Sequence, residues 1–516
     1  MLLSAVAWLA WLGGPEQVRP APYADHLLVL VDVPDRASLD RLLATGVDTW
    51  LEHPRPGLVP VLVAPEERTA LWSGGWTLRV LPIDVQAEVD AEARRLAAQP
   101  PVIPGGGGFF ADFRDGAAID AELDALVVAS PELVTSVDIG ESLEGRTIRA
   151  IRVTAAGPDD RPAVLVTAGQ HAREWIAMSS GMYVIEQLVQ RADEPEIAAI
   201  LDAVQVFVIP VVNPDGYAYS WTDERYWRKN RRGGVGVDTN RNFGHGWGGE
   251  GSSDVAEDEN YAGESAFSEP ESATVRDFVL AHPELVAHLD LHSYGQLVLY
   301  PWGHIFENAP DDAQLSATAT AIANEMELFG TNYTPVQGVN LYPAAGNVID
   351  WTYGDAGLHA MTMELRPNDE EIGFILPPAQ IVPVGDEVMA GLLVQLQFAN
   401  GVAPDPTGGD ESSTGEVESS TGEGSTSAAA DESSTSTTDA SGTTGVDPSA
   451  GVTTTPETTT STDAGDESET TGDANVDGDG GGCGCDVQSP RSSCLGAAFV
   501  LLGIGRARKR ARAGLR

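Results

Sequence analysis

The sequence predicts an α/β protein: a mixed central sheet with helices on both faces, preceded by a small α+β unit and followed by a disordered tail. Three observations carry this expectation. From about residue 109 to residue 400, short apolar runs rich in branched side chains alternate with helical stretches, the pattern of strands covered on both faces. Residues 23–98 repeat the alternation on a smaller scale and close on "PPVIPGGGG", a Pro/Gly linker. Residues 403–482 are Ser, Thr, Gly, Asp, Glu and Pro with almost nothing apolar, too little to offset chain entropy.

The opening "MLLSAVAWLAWLGG" is apolar and runs into small residues and Pro15, so residues 1–19 read as a secretory leader, although the usual basic start is missing. A mis-assigned start codon or a short apolar strand is the competing reading. Over residues 20–105, "HLLVLVDV" is a strand, and "DRASLDRLLATG" starts on a capping residue, carries Leu at helical spacing and ends on Gly. "LVPVLVA" and "WTLRVLPI" are further strands and "DVQAEVDAEARRLAAQ" a second helix. The order suggests a β-α-β-β-α-β, ferredoxin-like unit. Over residues 106–402, "AIDAELDALVVASPELV" and "SEPESATVRDFVLAHPEL" are helical, while "IRAIRVT", "PAVLVTA" and "VQVFVIPVV" are buried strands.

The chain has 516 residues and a formal net charge of −47, from 30 basic and 77 acidic residues. No Lys or Arg occurs between Gly401 and Pro490, so much of the negative charge belongs to the tail. An acidic surface argues against nucleic acid as a partner. The three cysteines, Cys483, Cys485 and Cys494, lie near the end of residues 403–516. The folded part therefore has neither disulfides nor thiolates, and any metal there must be held by His and carboxylate. Residues 483–516 place those cysteines before a short apolar run and a basic cluster; that run is shorter than the ~20 residues of a permanent membrane span.

The stretch "TAGQHAREWIAMSS" sets His171 and Glu174 three apart. Such a pair is a weak signal until a third ligand, a base and a substrate clamp join it, because hydrolytic zinc needs three protein ligands and an open position. Of nine histidines, His292 in "HLDLHSYGQLVLYPWG" is the best third, emerging from an apolar run into a loop. His288, four residues earlier, falls on the same strand face but deeper, and reads as structural. Glu364 ends the apolar run of "AMTMELRPND"; it is either a general base or the partner of Arg366. Between the ligands lie Arg228 in "RYWRKNRR" and Asn240 and Arg241 in "GVDTNRNFGHGW". Arg clustered in an acidic chain suggests a small anion site, whereas Lys229, Arg231 and Arg232 fit a solvated basic face better.

Residues 20–400 resemble the zinc metallocarboxypeptidases of the pancreatic carboxypeptidase A/B family, with an activation domain in front. The motifs "GESLEGRTIRAIRV", "HAREW", "NPDGY", "YWRKNR", "DTNRNF", "FSEPE", "LHSYGQLVLYPWG", "LYPAAGNVIDW" and "MELR" follow the family's order. The resemblance implies that His171, Glu174 and His292 bind one Zn2+ ion and that Asp238 orients His171. It makes Glu364 the base that activates the zinc-bound water, and Arg228 the group that stabilises the oxyanion. Asn240 and Arg241 would hold the terminal carboxylate of a peptide or protein substrate, Tyr342 would close over it, and Arg173 would line the next subsite. Ile349, seven positions after Tyr342, would floor the side-chain pocket with Leu299 and Gly303, giving a preference for hydrophobic or aromatic C-terminal residues. Pro343, directly after Tyr342, is a departure that stiffens the closing loop.

By the same resemblance residues 20–105 are an inhibitory pro-domain removed by an activating protease, after Arg94 or Arg95 or within residues 99–110. The alternative is a permanently attached folding domain. Residues 483–516 resemble the sorting signals of myxobacterial surface proteins, which implies envelope sorting machinery as a partner and an exported, extracellular or envelope-attached enzyme. The rival activity is a zinc amidohydrolase or deacylase acting on non-protein amides, which need not keep the Arg228 and Asn240–Arg241 clamp.

Overall fold

The computed structural model describes residues 21–51, 54–368 and 373–403, all within one compact unit, Met1–Glu416. The expected leader and the acidic and sorting segments beyond residue 403 lie outside the described residues.

The N-terminal part forms β1 (Leu27–Val33), α1 (Arg36–Leu43), β2 (Asp48–Thr49), β3 (Gly57–Val63), α2 (Arg68–Ser73) and β4 (Thr77–Val80). The Asp35 side chain accepts from the Ser38 N–H and starts α1, as the capping signal requires. The four strands pair antiparallel in the order β2-β3-β1-β4. The second helix of this unit is α2, not the "DVQAEV" helix that the sequence suggested. That longer helix, α3 (Val85–Ala97), comes after the last strand and leads into the Pro/Gly segment. A two-residue strand and a six-residue helix are too short to leave a periodic pattern.

The remaining chain builds an eight-stranded sheet. In chain order its elements are α4 (Gly116–Ala129), β5 (Val134–Glu141), β6 (Thr147–Val153), β7 (Ala163–Ala168), α5 (Trp175–Gln190), α6 (Pro195–Ala203), β8 (Gln205–Ile209) and α7 (Pro214–Thr222). They continue with α8 (Pro270–Ala281), β9 (Leu285–Ser293), β10 (Leu297–Tyr300), α9 (Asp312–Glu327), β11 (Thr334–Gln337), α10 (Val348–Gly354), β12 (His359–Leu365) and α11 (Ile381–Ala399). The strand order is β11-β10-β12-β9-β7-β8-β6-β5. Its centre, β12-β9-β7-β8, is parallel, and β6 and β5 are antiparallel.

Alternation along β7 divides the core. Val164, Val166 and Ala168 join the layer of α4, α5, α6, α9 and α11, while Ala163 and Leu165 join the layer of α8 and α10. Every residue of β7 and β12 is buried, which is why neither run shows the apolar-in, polar-out alternation of a strand with one solvated face. Toward the carboxyl ends of β7, β9 and β12 the α10-facing positions turn polar: Thr167, His288, Asp290, His292 and Glu364. That edge is where open α/β sheets hold their sites.

Candidate active site

Gly169, at φ +73°, turns the chain off the end of β7; a side chain there would strike Met178. The turn presents His171, and Glu174 follows immediately before the first residue of α5. His292 arrives on β9, and Glu364 lies beside it in register on β12. All four are buried. His171 Nδ1 is 2.8 Å from Glu174 Oε1, and His292 Nδ1 is 3.1 Å from Glu174 Oε2 and 3.0 Å from His171 Nδ1.

The far nitrogens explain the near ones. His171 Nε2 lies 3.1 Å from Asp238 Oδ1, and His292 Nε2 lies 2.7 Å from Asp290 Oδ2. An ionised carboxylate only accepts, so each Nε2 carries the proton and each Nδ1 presents a lone pair. Two imidazole lone pairs and a carboxylate, all within 4.8 Å, face a single point. That donor set fits a divalent cation, and two nitrogens with one carboxylate is a donor set of catalytic zinc. Burial opposes ionisation of Asp238, yet the Arg228 and Arg241 guanidinium groups hold its carboxyl well below the usual carboxylate range.

Asp238 also anchors Arg228, whose Nη2 donates to Oδ2 at 2.8 Å; one carboxylate thus fixes both a candidate ligand and the nearest guanidinium. Asn240 Oδ1 accepts from the Val348 N–H, the first of α10, at 2.9 Å, while Asn347 caps that helix. Arg241 donates from Nε to the Gly251 carbonyl and from Nη1 to the Asn240 carbonyl. The Pro343 carbonyl occupies the place a Gly251 Cβ would take, 1.6 Å from it, so the loop carrying Tyr342 is seated on this glycine. Arg173, Arg228, Arg241 and Tyr342 line one small cavity together with Thr49 and Leu51 of the N-terminal unit.

The pocket candidates lie apart from that cavity. Leu299 pairs with Thr362 in register on the Glu364 side of the sheet, and Ile349 is buried on α10. Gly303 packs against Asn347, and its N–H donates to Asp350 at 2.8 Å. The Asp350 carboxylate also accepts from the His304 N–H and lies 2.8 Å from His304 Nδ1, so it is engaged by the 303–304 loop.

Two sequence readings are corrected. Lys229 is not on a solvated face; it is buried, with Nζ donating to the Ala256 and Asp258 carbonyls at 2.9 and 2.7 Å. Arg366 turns to Glu387, Gln380 and Thr331, so the ion-pair explanation of Glu364 loses its partner to those groups. His288 bonds Thr167 and Thr352, and burial lowers its pKa to about 4. Sequence reasoning missed Asp290 and Asp48. Asp48 lies 3.0 Å from Arg173 Nη1, a contact without any sequence signal. Asp290 had one: an acidic side chain inside an apolar strand, two before a candidate ligand.

A family model described as zinc carboxypeptidase matches residues 119–391. The chain is 35% identical over 349 residues to carboxypeptidase A4 of Mus musculus, covering 66% of this chain and 83% of that protein. It is 39% identical over 297 residues to carboxypeptidase B of Astacus astacus, covering 55% of this chain and 96% of that protein. The crystal structure of carboxypeptidase A from Helicoverpa armigera matches with a TM-score of 0.67 at 27% identity, covering 75% of this chain and 100% of that one.

Proposed function

The chain belongs to the zinc carboxypeptidase family and is a metallocarboxypeptidase, and we propose that it releases single hydrophobic or aromatic residues from the C-termini of peptides and proteins. The observation that carries this reading is the convergence of His171, Glu174 and His292 beside the buried Glu364. Bound at those three side chains, zinc supplies Lewis acidity and a water of lowered pKa. Glu364 takes the proton of the attacking water and passes it to the leaving amine nitrogen. Arg228, braced by Asp238, donates to the oxyanion that develops on the scissile carbonyl. Asn240 and Arg241 hold the substrate's terminal carboxylate, Tyr342 covers it, and Arg173 lines the preceding subsite.

Ile349, Leu299 and Gly303 set the specificity. An apolar side chain gains roughly 1.5–3 kcal/mol on burial, whereas an unpaired buried cation costs several kcal/mol. The engagement of Asp350, the neighbour of Ile349, by the Gly303 and His304 donors supports an apolar pocket, because that carboxylate is already held by the 303–304 loop.

In this reading residues 20–105 hold the enzyme inactive. Asp48 pairs with Arg173, Arg36 lies over the Tyr342 ring and pairs with Glu250, and Trp50 packs on Tyr226 and Phe374. Arg94 and Arg95 lie inside α3, and Arg95 pairs with Asp112. Residues 103–108 are exposed and irregular, which makes them the better cleavage segment. The apolar leader and the cysteine-bearing end support export, with attachment to the envelope by its sorting machinery.

The test compares the full chain before and after limited proteolysis in that segment, on peptides ending in Phe, Leu, Lys and Arg. The intact chain should be slower, and the cut chain should favour Phe and Leu over the basic pair by about 10²-fold in kcat/KM. Equal rates before and after cutting would remove inhibition, and faster release of Lys or Arg would overturn the pocket assignment.

A further inference from the structure

We infer that Asp290 is a positioning residue for His292, itself aimed by a buried chain of hydrogen bonds that begins on the helix carrying Ile349. The inference rests on the metal reading of His171, Glu174 and His292. Parallel pairing makes it geometrically available: Thr167 on β7 lies opposite Asp290 on β9, and Thr362 on β12 lies opposite it from the other side. Positions 288, 290 and 292 share one face of β9, so three polar side chains stand in a row leading to the site.

Proton order along the row follows from donor and acceptor identity. Thr167 Oγ1 is 2.5 Å from Asp290 Oδ1 and 2.7 Å from His288 Nε2. The hydroxyl has one proton, and the carboxylate can only accept, so that proton goes to Asp290. Thr167 must then accept from His288 Nε2–H. His288 Nδ1 is left as an acceptor for the hydroxyl of Thr352 on α10, which lies 3.0 Å from it and 3.1 Å from the alternative acceptor, the Val348 carbonyl. At the other end Asp290 Oδ2 accepts from Gln170 Nε2 at 2.8 Å and from His292 Nε2 at 2.7 Å. Both oxygens are engaged, and Thr352, His288, Thr167, Asp290 and His292 are all buried.

The chain does one thing at its end. It fixes the Nε2–H tautomer of His292 and turns the Nδ1 lone pair toward Glu174 and His171. Asp238 does the same for His171, so the two imidazoles are oriented by carboxylates from different elements. A carboxylate behind a ligating histidine sets its ring orientation and raises its basicity, and loss of such a partner costs metal affinity. Satisfied buried networks also specify a single arrangement, here one that ties α10 to the metal position.

The experiment measures zinc affinity by competition with a chromophoric chelator, together with the visible spectrum of the cobalt-substituted protein, on the full chain. Asp290→Asn can donate to His292 Nε2 and so favours the wrong tautomer. It should weaken zinc binding by about 10–100-fold and alter the cobalt spectrum. Thr167→Val should weaken binding less, and Thr167→Ser should restore it. A folded Asp290→Asn protein with wild-type zinc affinity and cobalt spectrum overturns the inference. If that variant fails to fold, Thr167→Val decides: unchanged affinity overturns the chain, and weakened affinity rescued by Ser supports it. A wild-type chain that takes up no zinc removes the metal assignment and this inference with it.

Discussion

Arg241 is held by two backbone carbonyls, so its guanidinium is oriented before a substrate arrives. If it grips a terminal carboxylate, Arg241→Ala should lower kcat/KM on free-acid peptides by about 10²-fold or more. The same peptides with amidated C-termini, already poor, should lose far less, and Lys should not restore the bidentate grip. Initial rates on paired acid and amide peptides check this, and an equal loss on both would contradict the clamp. Four candidate site residues were legible because histidine and glutamate are rare where they stand, at the ends of largely apolar runs. Asp290 stood in the same setting, but its use depends on which strand lies beside β9, and register cannot be read from one sequence. Lys229 was misread because a run of basic residues looks solvated, while two carbonyls of the 256–258 loop had been placed around its ammonium group.

Glu224, just after α7, shows how one element feels another. Burial, then Glu259 and Asp48, raise its pKa to about 7, against about 4.3 for an unfolded glutamate. A raised acid is protonated longer in the folded state, so its contribution to stability is present below pH 4.3 and is lost as pH rises toward 7. Glu224→Gln should therefore raise Tm at pH 8 by roughly 2–4 °C and leave Tm at pH 4.5 nearly unchanged. Calorimetry at the two pH values checks the sign; an equal effect at both would contradict it. Among elements, long apolar runs such as β7 and β9 and capped helices such as α1 were visible from their pattern. β2 and α2 were not, since each is defined by pairing or packing rather than by periodicity. The missed α2 is what displaced the second helix of the N-terminal unit onto α3.

At the scale of the whole molecule, two bodies of one unit meet over the site. The carboxyl ends of β7, β9 and β12 gather the candidate ligands and Glu364, and the N-terminal unit lays Asp48 and Thr49 against Arg173 and Trp50 against Tyr226 and Phe374. The α/β class was legible because alternation survives over nearly three hundred residues; the docking of the N-terminal unit was not, because contacts such as Asp48 with Arg173 join positions 125 apart. The central claim is that Glu364 is the base of a metal-dependent exopeptidase, and Glu364→Gln tests it most directly. In the chain cut within residues 103–108, zinc content and turnover of a peptide ending in Phe are measured side by side. The variant should keep its zinc and lose turnover by about 10²–10⁴-fold; near-normal turnover with zinc retained would contradict the account.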